Sequence, residues 1–158
     1  MSQTPLDVVR DFLAHAFDPD EIEDAVERLV ASDATYVSLS FDDPELDRMM
    51  PWAGTKHGAK AFIDNFKGVR AHWWNDTFEI KETIEQDGKV AIFGRFTLRS
   101  VTLNQATESP FVVFAKVEDE RITYFQYMEG TFATARTFRD GGAWTIRAEP
   151  SAPDPIQV

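Results

Sequence analysis

The chain has 158 residues, of which 27 are acidic and 16 basic, so its formal net charge is −11. This acidic composition disfavours binding to phosphate backbones, and no apolar stretch approaches the roughly 20 residues that a membrane span needs, so we expect neither a nucleic-acid nor a membrane partner. The chain has no cysteine, which excludes disulfides, thiol catalysis and cysteine zinc sites.

The first part of the chain is predicted to form two helices and a strand. Thr4 and Pro5 are typical of an N-cap and a first helical turn, and Asp7 stands where a capping box places its acid. A second helix is predicted to begin at Asp20, because apolar residues follow it at helical spacing. Alternating residues rich in β-formers then predict the first strand over residues 34–41.

An irregular connection is predicted over residues 42–58. Connections of that length in compact domains are usually functional or disordered. Met49, Met50 and Trp52 within it favour packing against the rest of the fold. Gly58 opens a third predicted helix, which ends near residues 72–74.

The second half of the chain is predicted to be mostly β-structure. Strands are predicted over residues 77–86, 90–101, 107–117 and 121–128. A short helix over residues 131–138 and a small strand within residues 143–147 follow. The end, residues 150–158, contains three prolines and is predicted to be extended, with the option of lying on a neighbouring subunit.

These elements predict an α+β fold in which a long, highly curved antiparallel sheet wraps around the helices of the first half of the chain. Residues 1–142 are assigned to one domain and residues 143–158 to a C-terminal extension. Both faces of the long strands carry apolar residues, as Ile92 and Phe93 illustrate. Since the helices cover only one face, we expect a homodimer that forms through the other face of the sheet.

Three segments carry a resemblance to a known family: residues 31–35 between the second helix and the first strand, residues 51–58 (PWAGTKHG) before the third helix, and residues 122–129 (ITYFQYME) in the last long strand. Over about residues 4–139 the chain resembles the nuclear transport factor 2-like superfamily of cone-shaped barrels, and in particular its SnoaL-like and ketosteroid-isomerase-like branch. The resemblance implies a pocket between the sheet and the helices. It also implies one or two pocket carboxyl groups that act as general acid or base without a cofactor.

The last long strand is the segment on which the family's acidic residues fall. The resemblance aligns Gln126 with the first acid and Glu129 with the second, and the preferred register turns Tyr124, Gln126 and Met128 inward together. A slip of one residue would replace Gln126 by Tyr127 and exchange the two faces of the strand. Since Gln is not a base, the alignment leaves the catalytic role of this strand open.

Arg95, His57 and Asp33 join Gln126 as candidate catalytic residues. Arg95 interrupts an apolar strand, so it either points to solvent or serves as a pocket cation that holds a ligand oxygen. His57 at the start of the third helix is either an exposed loop residue or a pocket acid or base. Asp33 is either a turn residue or the general base near the first strand.

The candidate ligand-binding residues are aromatic or polarisable side chains on the predicted pocket wall. Trp73 and Trp74 are adjacent, so both cannot point inward, and one of them is expected to line a cavity or an interface. The tyrosines supply hydrogen-bond donors and the methionine adapts to irregular apolar shapes. The set is Tyr36, Trp52, Phe62, Trp73, Tyr124 and Met128. No metal site is predicted, because the three histidines have no paired spacing.

Two functions follow as hypotheses. The first is a protein that binds a small apolar, partly oxygenated molecule in an aromatic pocket and performs cofactor-free isomerase, cyclase or hydratase chemistry by proton transfer. The alternative is a non-catalytic dimeric ligand-binding or interaction module that has lost the pocket acid, which the Gln at position 126 favours. The N-terminus lacks the pattern of a secretory signal, so a cytoplasmic location is expected.

Overall fold

The structure is a computed structural model that describes residues 2–151 and 154–158. The helices are α1 (Pro5–Ala16), α2 (Ile22–Leu29), α3 (Pro44–Met49), α4 (Ala59–His72) and α5 (Thr131–Ala135), and a 3-10 turn follows over Arg136–Phe138. The strands are β1 (Val30–Ser38), β2 (Gly54–His57), β3 (Trp73–Gln86), β4 (Lys89–Ser100), β5 (Ala106–Glu118), β6 (Arg121–Glu129), β7 (Thr145–Ile146) and β8 (Ile156–Gln157). None of the helices in this part of the chain is long and apolar enough to cross a membrane.

The start of α1 follows the predicted capping pattern. The Thr4 side chain accepts a hydrogen bond from the Asp7 N–H at 3.2 Å, and the Asp7 carboxylate accepts one from the Thr4 N–H at 3.2 Å. Pro5 occupies the first turn, where its missing N–H is not needed. The helix therefore begins where the sequence predicts, and its apolar side is buried through Val8, Val9, Phe12, Leu13 and Ala16.

Six strands form one sheet in the order β2-β1-β6-β5-β4-β3. All neighbours are antiparallel except β1 and β6, which are parallel. The two edge strands, β2 and β3, do not pair with each other, so the sheet is mixed and open rather than a wholly antiparallel closed barrel. The α+β class and the cone-like curvature of the sheet are confirmed.

The concave face of the sheet carries the core. Along β4 the even-numbered Val90, Ile92, Phe96 and Leu98 are buried, while Phe93 on the other face is 40% exposed. This alternation confirms the predicted assignment of the two faces. Helix α1 packs onto this face through Phe12, whose ring meets rings from α4 and β6 edge-on at 5.4 to 5.9 Å, namely those of Phe62, Phe66 and Phe125.

The predicted irregular connection over residues 42–58 contains a helix and a strand. Asp43 caps α3, since its carboxylate accepts hydrogen bonds from the N–H groups of Glu45 and Leu46 at 3.0 and 3.1 Å. Strand β2 pairs with β1, placing Thr55 opposite Val37. The prediction of an irregular segment was wrong because both elements are short and depend on neighbours distant in sequence.

Two strand boundaries also differ from the prediction. Strand β1 follows α2 directly and ends at Ser38, because Leu39 adopts a left-handed conformation with φ of 64°. Strand β3 already begins at Trp73, so the two adjacent tryptophans alternate across a strand. Trp73 is 3% exposed and Trp74 is 53% exposed, which confirms that only one of them points inward.

The C-terminal extension folds back on itself. Strand β7 pairs with β8, and the backbone groups of Trp144 and Val158 exchange two hydrogen bonds at 2.8 and 3.0 Å. The predicted small strand within residues 143–147 is therefore confirmed. The predicted extended tail over residues 150–158 ends in a strand of this hairpin, and residues 152–153 of that prediction lie outside the described residues.

Gly94 in β4 provides a test of how tightly the sheet packs. A Cβ atom at this position would lie 2.2 Å from the Glu79 carbonyl oxygen and 2.5 Å from the Phe111 ring. We expect Gly94→Ala to lower the free energy of unfolding by roughly 3 kcal/mol or more, because backbone on one side cannot yield. Urea denaturation followed by circular dichroism measures the change.

The matched control is Gly141→Ala, since a Cβ atom there has no neighbour within 4 Å. Its stability is expected to stay within about 0.5 kcal/mol of the wild type. Equal stabilities for the two variants would contradict the close packing at Gly94.

Candidate functional site

A pocket lies between the concave face of the sheet and the helices. Its free space is only about 30 Å³, enough for one or two water molecules. Its walls are mainly apolar, with side chains from α1, α4, β3 and β4 and from the connection before β2. The largest of them are Phe17, Trp52, Phe66, Trp73, Phe96 and Leu98. We call this space the central pocket.

From Phe125 onward, strand β6 turns its odd-numbered residues toward the central pocket and the core. Phe125 is fully buried, and both Tyr127 and Glu129 line the pocket. The predicted inward orientation of Tyr124, Gln126 and Met128 was therefore wrong. These three residues lie on the outer face of the sheet, where Met128 is 37% exposed and the Tyr124 hydroxyl donates to Gln126 Oε1 at 2.9 Å. The one-residue alternative is the register that the structure adopts.

Glu129 is the acidic group of the central pocket. Its Oε1 atom is buried and has no hydrogen-bond partner among the described residues. Burial raises the pKa of this carboxyl to about 7, and a hydrogen bond with the Thr134 side chain offsets part of that effect. A carboxyl with such a pKa exchanges its proton readily near neutral pH.

Two phenols share the pocket with Glu129. The parallel pairing of β1 with β6 places Tyr36 beside Phe125 and Ser38 beside Tyr127. Burial raises the pKa of the Tyr36 hydroxyl and of the Tyr127 hydroxyl, and the negative charge of Glu129 raises both further. Both phenols therefore remain protonated and are available as hydrogen-bond donors.

Asn65 of α4 is hydrogen-bonded to Tyr36. Its Nδ2 group donates to the Tyr36 hydroxyl oxygen at 2.9 Å, and both residues are buried. The Tyr36 ring is held by aromatic contacts, with Phe62 edge-on at 5.0 Å and Phe125 stacked at 5.5 Å. The Tyr36 ring is thus held by the aromatic contacts, and its hydroxyl oxygen is held by Asn65.

Leu39 closes β1 at the pocket wall. Its left-handed backbone is uncommon for a residue other than glycine, asparagine or aspartate. A hydrogen bond from its N–H to the Tyr127 carbonyl oxygen at 2.8 Å holds that conformation. The Leu39 side chain consequently lines the central pocket together with Trp52.

Of the predicted ligand-binding residues, the structure brings Tyr36, Trp52 and Trp73 together in the central pocket. The rings of Trp52 and Trp73 meet at 5.0 Å, and the Trp73 indole N–H donates to Thr137 Oγ1 at 2.8 Å. Phe62 is fully buried behind Tyr36 and does not line the pocket. Tyr124 and Met128 are separated from the pocket by the thickness of the sheet.

The predicted catalytic residues lie outside the central pocket. Arg95 is on the outer face of β4, where its Nε donates to Glu79 at 3.2 Å. Gln126 is on the same face of the sheet, bonded to Tyr124 as described above. The pocket interpretation of Arg95 is not supported by this placement, because an odd-numbered residue of β4 points away from the helices.

His57 and Asp33 are exposed residues of β2 and β1, the two strands at one end of the sheet. His57 ends β2, and its Nδ1 lies 3.2 Å from Thr35 Oγ1. Asp33 lies within β1, before the residues of that strand that reach the pocket. Neither side chain contributes to the lining of the central pocket.

Glu129 aligns with the family's second acid but was not among the residues predicted to form the site. Tyr127, Ser38 and Asn65 were also missed. The signal for Glu129 and Tyr127 is their shared face with Phe125, since residues two apart in a strand point to the same side. No sequence signal marks Asn65, because its partner Tyr36 lies 29 residues away.

The residues of the site suit proton transfer and hydrogen bonding. Within the described residues, no three side chains from His, Asp and Glu are grouped so as to hold a metal ion. Among the described residues that line the central pocket there is no lysine, arginine or histidine. The pocket therefore offers one titratable carboxyl, two phenols, and the polar side chains of Ser38 and Asn75 in an apolar surround.

Comparison with known proteins assigns the family. Residues 9–125 match the SnoaL-like domain family, and the chain belongs to that family. A nuclear transport factor 2-like protein from Burkholderia thailandensis has the same fold, with a TM-score of 0.70 and 19% sequence identity over 87% of this chain and 99% of the other. The resemblance found in the sequence is confirmed.

Two fungal relatives are more similar to this chain in sequence than the Burkholderia protein is. Patulin synthesis protein F of Aspergillus clavatus is 46% identical over 123 residues, which are 76% of this chain and 62% of that protein. Patulin biosynthesis cluster protein F of Penicillium expansum is 41% identical over 139 residues, covering 86% of this chain and 69% of the relative. This chain therefore spans less than two thirds of the Aspergillus protein.

The raised pKa of Glu129 predicts a pH-dependent stability. Because the ordinary value is 4.5 and the folded value is about 7, the folded state binds more protons than the unfolded state between these pH values. The free energy of unfolding therefore falls as pH rises through this window, by roughly 3 kcal/mol in total. Glu129→Gln removes the ionisable group, so its stability is expected to lack this fall.

Urea denaturation at about pH 5 and about pH 8 measures the effect for both proteins. Glu118→Gln, an exposed glutamate of β5, is the matched control and should keep the wild-type pH dependence. A wild type and a Glu129→Gln variant with the same pH dependence would show that Glu129 is ionised normally in the folded protein.

Proposed function

We propose that the protein binds a small, uncharged, apolar and partly oxygenated molecule in the central pocket and catalyses a cofactor-free proton transfer on it. Glu129 is the group that accepts and returns the proton. Tyr36 and Tyr127 donate hydrogen bonds to a ligand oxygen whose negative charge grows during the reaction. Isomerisation, cyclisation and addition or loss of water all contain such a step.

The observation that carries this proposal is the buried carboxyl of Glu129, with Oε1 unpartnered and a pKa of about 7. An unpaired polar atom in an apolar site is unfavourable for folding by about 1–3 kcal/mol. Such an arrangement is typical of groups that act on a ligand, because the ligand supplies the missing partner.

The uncharged character of the ligand follows from the charges in the pocket. The titratable Glu129 repels an anion, and the described lining has no cationic side chain to balance one. The aromatic walls stabilise apolar surface, and Tyr36, Tyr127 and Glu129 offer polar groups to a ligand oxygen. A carboxylate ligand is thus disfavoured, whereas a ketone, enone or phenol fits the lining.

The names of two relatives bear on the biological role. Two proteins at least 41% identical to this chain are named for patulin synthesis and for a patulin biosynthesis cluster. This supports a role in small-molecule biosynthesis for the present chain. The particular substrate is not transferred from these names, because this chain spans only part of each relative.

The alternative of a non-catalytic binding module was favoured by the glutamine at position 126. Because Glu129 supplies a carboxyl in the pocket, the glutamine no longer favours a binding module over an enzyme. A catalytic test does distinguish them, since a binding module needs no titrating carboxyl.

The proposed chemistry can be tested with 2-tetralone, an uncharged ketone with acidic α-protons. In D₂O, proton NMR measures the exchange of those protons with solvent. The wild type is expected to accelerate exchange, and Glu129→Gln should lower kcat/KM by at least about 100-fold. The rate is expected to depend on the deprotonated carboxyl and therefore to rise with pH up to about 7.

Gln126→Ala and Arg95→Ala are the controls, because both residues lie on the outer face of the sheet. They should retain wild-type exchange. If these variants lose exchange and Glu129→Gln does not, the assignment is overturned. If the wild type binds the ketone but exchanges its protons no faster than buffer does, the binding module is favoured.

We also propose that the outer face of the sheet pairs with the outer face of a second copy. Large apolar side chains are exposed there, with Phe93 at 40% and Ile84 at 60%. The face also carries charges of both signs, such as Arg95 beside Glu79, so two copies related by a twofold axis need not repel each other. Ile84 lies opposite Ala91 and Phe93 lies opposite Val112, so apolar side chains of β3, β4 and β5 adjoin on the surface that such pairing would cover.

The dimer is tested by light scattering after size-exclusion chromatography at micromolar concentration. The wild type is expected to have twice the mass of one chain, and Phe93→Asp should give a monomer. Phe41→Asp, at an exposed position outside the sheet, is the control and should remain dimeric. A monomeric wild type would contradict the proposal.

A further inference from the structure

We propose that Asn65 is a positioning residue that holds the Tyr36 hydroxyl with its proton directed into the central pocket. This inference rests on the proposed function, in which Tyr36 is a donor to the ligand. It adds a residue that does not line the pocket and that neither the sequence nor the family resemblance selects. The geometry at Tyr36 carries the argument.

A tyrosine hydroxyl has one proton and two acceptor lone pairs. The Asn65 amide donates to the Tyr36 oxygen at 2.9 Å, so an N–H group occupies one of the acceptor directions. The hydroxyl proton cannot be directed at that same N–H group. It therefore points away from Asn65, on the pocket side of the hydroxyl, where the Ser38 side chain also hydrogen-bonds with Tyr36 and where the charge of Glu129 acts on it.

The side-chain amide of Asn65 is buried, and its position is unfavourable for folding. Asn65 is 2% exposed and lies among the aromatic residues of α4. Its Oδ1 atom is buried and has no hydrogen-bond partner among the described residues. Asparagine is also a weak helix former, so an apolar residue at this position would suit both the helix and the core better.

The two buried polar atoms of the described residues that lack a hydrogen-bond partner belong to side chains that both interact with Tyr36. Among the described residues, the buried side-chain oxygen and nitrogen atoms without a partner are Asn65 Oδ1 and Glu129 Oε1. Asn65 contacts Tyr36 directly, and Glu129 acts on it through its charge. Both unfavourably buried polar atoms therefore belong to side chains that interact with Tyr36. Such a position is expected for a buried polar group that is retained for function.

Two substitutions separate positioning from simple packing. Asn65→Asp keeps the shape but replaces the donor by a carboxylate acceptor, which attracts the Tyr36 proton toward α4 and away from the pocket. Asn65→Leu keeps the approximate volume and removes the hydrogen bond altogether. Asn104→Asp is the matched control, because it makes the same substitution at an exposed residue outside the central pocket.

The probes are 4-fluorobenzaldehyde, whose carbonyl accepts a hydrogen bond, and 4-fluorotoluene, which has a similar shape and no acceptor. Fluorine NMR titrations give both dissociation constants for each protein. In the wild type the aldehyde is expected to bind more tightly. Asn65→Asp should weaken aldehyde binding about tenfold and Asn65→Leu about threefold, with toluene binding unchanged within about twofold.

A residue that only packs would change both probes together and in proportion to the loss of stability. An aldehyde-to-toluene affinity ratio that stays at the wild-type value in Asn65→Leu overturns the proposal, even if Asn65→Asp fails to fold. A similar fall in the ratio for Asn104→Asp also overturns it, because the effect would then come from added charge outside the pocket and not from the contact with Tyr36.

A measurement without ligand keeps this inference separate from the proposed function. Carbon NMR of protein labelled at tyrosine Cζ, with Tyr36→Phe used for assignment, reports the hydrogen bonding of Tyr36 directly. In Asn65→Asp the Tyr36 resonance should move toward the phenolate position, and in Asn65→Leu it should also be displaced. If the Tyr36 resonance does not move in either variant, the positioning role is refuted. If the resonance moves as expected but the wild type shows no exchange that depends on Glu129, only the proposed reaction is refuted.

Discussion

The parallel pairing of β1 with β6 is the contact on which the central pocket depends. It is the one parallel pair in a six-stranded sheet whose other neighbours are antiparallel. Through it, Tyr36 lies beside Phe125 and Ser38 lies beside Tyr127, so two strands distant in sequence share one polar patch. Helix α4 then reaches that patch through Asn65. A shift of β1 by one residue would turn Tyr36 and Ser38 outward together.

The same apolar walls that stabilise the fold set the chemistry of the acid. Phe125, Phe66 and Trp73 are core residues, and the core they belong to also surrounds the pocket around Glu129. Their burial removes water from the carboxyl and raises its pKa, without a nearby cation to reverse the effect. Folding and reactivity therefore depend on the same side chains, and substitutions in the core are expected to alter both.

Much of the fold follows from local patterns, whereas the site follows from contacts distant in sequence. The capping residues of α1 and the alternation along β4 mark those elements because their signals lie within a few residues. The register of β6 is harder, since Tyr124, Gln126 and Met128 resemble Phe125, Tyr127 and Glu129 in average polarity. Which set faces inward is decided by the helices that cover the sheet. Glu129 also lies beyond residue 125, where the family match ends.

The narrowness of the central pocket has a consequence for the rate of binding. Free space of about 30 Å³ is smaller than any aromatic ring, so a ligand enters only when wall side chains swing aside. Trp52 and Trp73 are two of these wall side chains, and because the Trp73 ring also stacks on Phe138 with centroids 4.8 Å apart, movement of Trp73 would break both contacts. Association would then be slow and strongly temperature-dependent, and bound molecules would be long-lived. With the exposed Trp74 and Trp144 replaced by phenylalanine, the remaining indole fluorescence would report these movements.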